Sequence, residues 1–191
     1  MMAPASRGDP IGTVREVFFE RLVPSRTCGD CVACCKILHI DQPDLKKAAD
    51  TLCPHNTGRG CGIYESRPDV CRTWHCLWRR IDALPDYLRP DQCGVVFAID
   101  SHEPPRIVFE RTYIVARAID DPAALQSEPV KAALDMFAEE GSLPVWIGFG
   151  GAKSLYYPNF SFADAITRPT ETPWQSLVVA ALAWRKRYGL D

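Results

Sequence analysis

The sequence predicts an α+β fold in which a loop-rich, cysteine-rich lobe packs on a small, mostly antiparallel sheet with flanking helices. Eight of the nine cysteines fall between Cys28 and Cys76, in a stretch with little regular periodicity. Alternating apolar and polar residues between 94 and 157 are typical of strands. Apolar residues recur at helical spacing in Glu128–Glu140 and in 172–189, which predicts two amphipathic helices.

The chain divides into three predicted parts. Residues 1–13 are rich in proline, glycine and small polar residues, and we expect them to form a flexible lead-in. Residues 14–90 form the cysteine-rich lobe, which begins with an apolar strand or short helix at 14–22. Residues 91–191 form an α+β lobe. An apolar content of 47% over 191 residues is enough for both lobes to share one compact unit.

Charge and hydropathy argue against several classes of function. The formal net charge is -2, so the chain lacks the basic surplus that attracts nucleic acid. The first ten residues contain no apolar secretion signal, and no stretch reaches the roughly 18 uninterrupted apolar residues of a membrane span. We therefore expect a cytoplasmic protein with no nucleic-acid partner and no membrane attachment.

Two helices are predicted within the cysteine-rich lobe. Pro43 suits the first turn of a helix over 43–52. Ser66 is a good N-cap ahead of Pro68, which predicts a helix over 70–82. This second helix would carry the last two cysteines of the lobe.

The second half of the chain is predicted to contain two hairpins. The first joins 94–99 to 106–110 through a loop, with 113–116 as a third strand. The second joins 145–149 to 154–157 around a Gly-Gly turn. The helix over 128–140 lies between them in sequence, and the glycine that follows it is a suitable stop signal.

The spacing of the cysteines is typical of metal ligands. Cysteines two residues apart can bind one ion or cluster, because the intervening turn directs backbone N–H groups at the sulfurs. Thiolates are soft, anionic donors that suit zinc and iron–sulfur clusters, and eight are enough for two four-coordinate sites. The cluster consists of Cys28, Cys31, Cys34, Cys35, Cys53, Cys61, Cys71 and Cys76.

The sequence leaves the metal open between an iron–sulfur cluster and zinc. Cys28, Cys31 and Cys34 can hold three corners of a cubane, with Cys53, which precedes a proline, as the fourth ligand. Cys35 departs from a ferredoxin run, which places its next cysteine three residues further on. Structural zinc sites usually join two separate Cys-x2-Cys pairs. Disulfides are disfavoured, because an odd number of cysteines leaves one unpaired and the cytoplasm is reducing.

Other side chains near the cluster have two interpretations each. His39, His55 and His75 can replace a cysteine as a ligand, or they can serve as ordinary hydrogen-bonding or surface residues. Cys93 lies beyond the cluster at the start of a predicted strand, where we expect a buried apolar residue.

Cationic and aromatic residues also accompany the cysteines. Lys36 and Arg72 are the preferred candidates for offsetting thiolate charge, against the alternative of a solvated surface. Tyr64 is a candidate lid over the site, and Arg67 is a candidate donor to thiolates or to a carboxylate. The alternative for 64–68 is a well-capped helix start.

Two blocks of the sequence resemble a known family. The first is the Cys-x2-Cys-x2-Cys-Cys run at 28–35, and the second is 61–76, which ends in Cys-Arg-Thr-Trp-His-Cys, with Cys53 between them. The chain is similar in these blocks to bacterial cysteine-cluster proteins that are described as zinc- or iron-chelating domains. The resemblance covers residues 26–80. It assigns ligand roles to Cys28, Cys31, Cys34, Cys35, Cys53, Cys61, Cys71 and Cys76.

Three functions follow as alternatives. The first is a metal-binding protein whose site is structural or stores or delivers metal. The second is an enzyme, either an iron–sulfur redox protein or, because the family grouping includes flagellin lysine methylases, a protein-lysine methyltransferase. The glycine-rich segment 148–151 is the only candidate loop for a cofactor, and it is better interpreted as a hairpin turn. The third is an interaction module that meets a protein partner through Tyr64, Trp74 and Trp78.

Overall fold

Helices and two sheets make up the computed structural model, which confirms the α+β fold class. The structure describes residues 22–102, 107–110, 112–140 and 143–157. The predicted lead-in, the apolar element except for Leu22, and the terminal helix lie outside these residues. None of the helices in the described ranges combines the length and the apolar character needed to cross a bilayer.

Four α-helices and six strands form the described part of the chain. The helices are α1 (Ala33–Ile37), α2 (Asp69–Thr73), α3 (Pro90–Cys93) and α4 (Glu128–Glu140). The strands are β1 (Ile40–Gln42), β2 (Leu45–Lys47), β3 (Val95–Asp100), β4 (Tyr113–Ala118), β5 (Val145–Phe149) and β6 (Ala152–Tyr157). Strands β1 and β2 form a hairpin, and the other four form a sheet in the order β3-β4-β5-β6.

The four-stranded sheet is mixed, because β4 and β5 run parallel while the other two pairings are antiparallel. Helix α4 lies in the connection between β4 and β5, as a parallel pair requires a crossover. The predicted helix over 128–140 is therefore confirmed. Its apolar residues Val130, Leu134 and Phe137 are buried, and the Phe137 ring lies 5.8 Å from that of Phe97 on β3.

Both faces of the sheet are buried. Because successive side chains of a strand point to opposite faces, the apolar residues of β4 divide between two cores. Ile114 and Ala116 face a large core that also contains Leu77 of the cysteine lobe. Tyr113 and Val115 face a second core. Residues on both sides of the 90/91 boundary thus pack in the large core.

The hairpin of β5 and β6 is confirmed, including its turn. Gly150 has φ 56° and Gly151 has φ 79°, a pair of left-handed residues that a tight turn between twisted strands requires. The predicted strand over 113–116 is also confirmed as part of β4.

The predicted strand over 106–110 is wrong for its described residues. Val108–Glu110 forms a 3-10 turn, and β4 rather than this segment pairs with β3. The turn buries Phe109 in the second core, where its carbonyl accepts a 3.0 Å hydrogen bond from Trp146 Nε1. Tertiary packing thus outweighs the local strand preference.

The predicted helix over 43–52 is also wrong. Pro43 and Asp44 form the turn between β1 and β2, a role for which proline at the second turn position is equally suited. Burial alternates along β2 as it does in a strand, since Leu45 and Lys47 are buried and Lys46 between them is exposed.

The predicted helix over 70–82 is right only in its first turns. Helix α2 ends at Thr73, so it carries Cys71, whereas Cys76 caps a separate 3-10 turn. Arg80 binds the backbone at this point, because its side chain donates to the carbonyls of Thr73 at 3.2 Å and His75 at 3.3 Å. A continuous helix would need those carbonyls for its own hydrogen bonds.

Candidate metal centre

One cavity of about 230 Å³ brings together all eight cysteines of the cluster. They come from stretches that are far apart in the sequence: the loop before α1, α1 itself, the segment after β2, and α2 with the loop beyond it. The cysteines that line the cavity are Cys28, Cys31, Cys34, Cys35, Cys53, Cys61, Cys71 and Cys76.

The first two cysteines lie in a tight turn that leads into α1. The Cys31 N–H donates to the Cys28 carbonyl at 2.9 Å, and Gly29 between them has φ 54°. Arg89 fixes this turn from outside, because its Nη2 donates to the Cys28 carbonyl at 3.0 Å and pairs with Asp30. Helix α1 then carries the next two cysteines into the cavity wall.

Backbone contacts link Cys53 and Cys61 to α1 and to each other. The Cys53 N–H donates to the Cys35 carbonyl at 2.9 Å. Asn56 and Cys61 form an isolated antiparallel bridge, which closes the loop between Cys53 and Cys61. Cys71 lies on α2. Cysteines from α1, from the loop after β2 and from α2 therefore line the same cavity.

A buried lysine stands next to this wall. Lys47 is 5% exposed, and its Nζ donates to three carbonyls: Lys36 at 2.8 Å, Ala48 at 3.0 Å and Thr51 at 2.7 Å. Burial lowers the pKa of Lys47, while the nearby Cys53 and Cys35 raise it. Sequence reasoning missed this residue, because a lysine gives no apolar signal and its burial follows from the strand register of β2.

The adjacent thiols of α1 interact directly. A hydrogen bond with Cys34 lowers the pKa of Cys35 to about 7, and the charge of Lys47 acts in the same direction. The same hydrogen bond, together with burial, raises the pKa of Cys34. Cys34 therefore acts as the donor and Cys35 as the acceptor in this pair of thiols.

Backbone amides also point at two of the sulfurs. Burial raises the pKa of Cys31, but the amides of Ala33 and Asp91 counteract it by hydrogen bonding. Burial raises the pKa of Cys76 to about 11, again against hydrogen bonds from backbone amides nearby. Amide donors around a thiolate are the arrangement that metal-bound cysteines require.

Aromatic and cationic residues line the mouth of the cavity. The Arg67 guanidinium lies 4.0 Å from the ring centre of Tyr64, and Tyr64 is 53% exposed. Trp74 is half-buried in the cavity wall, whereas Trp78 is buried at 7% beneath Arg26. The three aromatic residues therefore do not form one exposed patch of the kind that an interaction module needs.

The histidines divide by position. His55 and His75 line the cavity, while His39 is exposed and lies outside the lining. Burial lowers the pKa of His75, and three nearby arginines act in the same direction, so its imidazole is neutral near pH 7. A neutral imidazole is the form that binds metal.

The remaining predicted residues lie elsewhere. Lys36 pairs with Asp120, and Arg72 pairs with Asp69 at 3.3 Å, so both cations face carboxylates rather than thiolates. Cys93 is half-buried against the large core and ends α3 instead of starting a strand. Its thiol hydrogen-bonds to carbonyls of the neighbouring backbone.

The eight cysteines supply the soft donors of a thiolate metal centre, and they line a cavity rather than meet at one point. Within the described parts of the chain, no group of three or more Cys, His, Asp or Glu side chains is gathered tightly enough to hold a metal ion as it stands. Metal binding here requires the thiols to lose their protons and close inward. All nine cysteines are free thiols, so no disulfide opposes that movement.

Comparison with known proteins gives no match: no family model, no curated protein and no solved structure matches the chain. The resemblance to bacterial cysteine-cluster proteins therefore stays a prediction that rests on the cysteine spacing. What the protein does has to follow from its own side chains.

Proposed function

We propose that the protein binds metal through its eight clustered cysteines, as an iron–sulfur cluster or as zinc. The observation that carries the proposal is the convergence of all eight cysteines on one cavity from separate segments of the chain. Cysteine is usually a small buried apolar residue, and burial alone does not explain why eight cysteines line one cavity. Metal ligation explains it, because several thiolates have to meet around one ion or cluster.

The electrostatics of the cavity support the same proposal. Thiolates crowded in one cavity repel each other: besides its hydrogen bond with Cys35 and its burial, the charges of Cys35, Cys28 and Cys31 raise the pKa of Cys34, so Cys34 keeps its proton. A metal centre takes the place of the proton and compensates several thiolates at once. The cavity of about 230 Å³ is also far larger than the roughly 10–15 Å³ that a single water needs, so it has room for more than one ion.

The enzymatic alternatives gain no support from the glycine-rich segment. Gly150 and Gly151 form the turn of an antiparallel hairpin, whereas a phosphate-binding loop runs from a strand into a helix. Redox chemistry and methyl transfer remain predictions of the sequence.

Anaerobic purification followed by metal and acid-labile sulfide analysis tests the proposal. Iron with equivalent sulfide identifies a cluster, and zinc without sulfide identifies zinc thiolate sites. A chain that carries neither metal, and that takes up neither when iron with sulfide or Zn²⁺ is added under reducing conditions, would refute it.

Single substitutions in the cluster provide a second test. Cys31→Ser and Cys71→Ser should each release metal and lower the melting temperature of the loaded protein, because structural metal binding is coupled to folding. Cys93→Ser is the matched control, since this thiol hydrogen-bonds only to nearby carbonyls in the part of the chain that the structure describes. If both cluster variants keep their metal content and their melting temperature, the cysteines are not ligands.

A further inference from the structure

Two arginines in the cavity wall lack the partners that arginines elsewhere in the molecule have. Arg67 and Arg79 both line the cavity. The Nε atom of each is buried, and within the described parts of the chain neither Nε has a hydrogen-bond partner. A buried N–H without a partner costs free energy, and in native proteins it calls for a specific explanation, such as a bound ion or a role in chemistry.

Carboxylates do not provide that explanation. Arg26, Arg72 and Arg89 each pair with an aspartate, whereas Arg67 and Arg79 form no ion pair among the described residues. Asp and Glu are also missing from the described residues that line the cavity, so the cysteine sulfurs are the anions that this cavity can offer. The sequence left Arg67 open between a thiolate and a carboxylate, and the described residues support the thiolate.

Arg67 is held in place by the turn that precedes helix α2. Its guanidinium lies 4.0 Å from the ring centre of Tyr64, which begins the 3-10 turn before it. The buried Pro68 follows and restricts Arg67 to an extended backbone, with φ -61° and ψ 148°. The Pro68 carbonyl in turn accepts from the N–H of Cys71 at 2.9 Å. Arg67 is thus connected to Cys71 through one hydrogen-bonded turn.

Arg79 is held by the chain segment that lies before the first cysteine. Its carbonyl accepts from the N–H of Val23 at 2.8 Å, and its Nη1 donates to the Val23 carbonyl at 3.2 Å. The N–H of Arg79 donates to the Cys76 carbonyl at 3.1 Å. One edge of the guanidinium is therefore occupied next to Cys76, and Nε remains as a buried donor.

We propose, resting on the metal-binding function proposed above, that Arg67 and Arg79 are positioning residues whose Nε–H groups donate to metal-bound cysteine sulfurs. A thiol is a weak acceptor, whereas a thiolate accepts strongly, so these bonds form when the metal displaces the thiol protons. The free thiols of the structure thereby account for the unpartnered donors. Arg67 and Arg79 take the role that the sequence assigned to Lys36 and Arg72.

Metal-dependent and purely structural roles predict different effects of removing the side chain. A donor that finds its acceptor only in the loaded centre stabilises the loaded protein and contributes nothing to the metal-free one. An arginine that only supports the fold stabilises both states. Affinity for metal and stability without metal therefore have to be measured on the same variants.

The first experiment compares Arg67→Met with Arg72→Met in the full chain. Cd²⁺ is the probe, because thiolates bind soft ions, and its sulfur-to-metal charge-transfer absorption during competition with a chelator gives the affinity. Arg67→Met should weaken Cd²⁺ binding about 10–100-fold, as the loss of an outer-shell partner usually does. Arg72→Met is the matched control, since Arg72 is 52% exposed and pairs with Asp69. Its effect should stay below about fivefold, as for other exposed ion pairs.

Urea denaturation of the same variants without metal separates positioning from support of the fold. Arg67→Met removes a donor that has no partner among the described residues, so its unfolding midpoint should stay close to that of Arg72→Met. A variant that loses as much stability without metal as it loses in Cd²⁺ binding would overturn the proposal.

A measurement on the unaltered chain covers both arginines and needs no variant to fold. The arginine side chains are labelled with an NMR-active nitrogen isotope, and the reduced protein is loaded with an NMR-active cadmium isotope. Two arginine Nε–H signals should shift and show a coupling to cadmium that is transmitted through N–H···S hydrogen bonds. Loading that leaves every arginine Nε–H signal uncoupled to cadmium would overturn the proposal.

Failure of this proposal is distinguishable from failure of the proposed function. If the unaltered chain takes up neither Cd²⁺ nor iron with sulfide, metal binding itself is refuted. If the unaltered chain binds Cd²⁺ and Arg67→Met binds it equally tightly, the role of the arginine is refuted while metal binding stands.

Discussion

Replacing Lys47 by methionine removes one buried cation while keeping the length of its side chain. Lys47 lies on β2, near Cys53 and Cys35, and its Nζ donates to the carbonyls of Lys36, Ala48 and Thr51 at 2.7–3.0 Å. Two of these carbonyls belong to the loop between β2 and Cys53. The variant therefore loses the contact that fixes the loop as well as a positive charge near the thiolates.

The magnitude follows from opposing contributions. Hydrogen bonds from a charged donor contribute about 1.5–3 kcal/mol each, so three give about 5–9 kcal/mol. Removing the ammonium also removes its desolvation penalty of several kcal/mol. Ala48 and Thr51 are exposed, so water can replace part of what their carbonyls lose. We expect a net loss of about 2–4 kcal/mol in the free energy of unfolding.

Urea denaturation of the reduced, metal-free protein in the presence of a chelator measures this loss without any contribution from metal. Lys46→Met is the matched control, because Lys46 is 77% exposed and lies 3.5 Å from an exposed Asp41. Exposed pairs of this kind contribute about 0–1 kcal/mol. If the two variants differ by less than about 0.5 kcal/mol, Lys47 does not hold the loop in the way its hydrogen bonds indicate.

Two further predictions concern the four-stranded sheet. Burial and a hydrogen bond with Asp135 raise the pKa of Tyr156 from 10.0 to about 12. The folded state therefore favours the neutral phenol of Tyr156, and this contribution to the free energy of unfolding is complete below pH 10 and is lost as the pH rises toward 12. The melting temperature of Tyr156→Phe should fall less steeply between pH 10 and pH 12 than that of the unaltered chain. A parallel fall in both proteins would contradict this. Glu110→Gln should cost about 3 kcal/mol in urea denaturation, because Glu110 is 1% exposed and pairs with Lys153 at 3.0 Å. A cost below about 1 kcal/mol would mean that the pair is screened by solvent.

The sequence predicted those elements whose signals are local and unambiguous. Helix Glu128–Glu140 was predictable because its apolar residues keep helical spacing over more than three turns. The hairpin of β5 and β6 was predictable because Gly150 and Gly151 favour a turn between two apolar runs. The convergence of the cysteines on one wall was likewise implied by their spacing.

The remaining elements depended on partners that a local pattern does not reveal. Pro43 is equally suited to a helix start and to a hairpin turn, and only the pairing of β1 with β2 decides between them. Beyond the early end of the helix that starts at Asp69, the carbonyls of Trp78 and Ile81 are bound by Arg26, more than forty residues away in the sequence. Likewise, Lys46 and Lys47 are neighbours in sequence, and their different burial becomes visible only once the strand register is known.

The division of the cysteines was hidden for the same reason. Spacing places Cys31 and Cys35 in one run, whereas Cys31 packs against the large core and Cys35 packs against a small core of Ile40, Leu45 and Cys53. Ligand sets that cross between segments require the tertiary structure.

Trp74 connects the cavity to the rest of the molecule. Its indole forms part of the cavity wall and packs against the cores on both sides of the four-stranded sheet. An inward movement of the sulfurs would therefore change the packing of this one ring against both cores. With Trp74→Phe as the reference for the other four tryptophans, the fluorescence of that ring gives an optical readout of whether the thiols are open or closed.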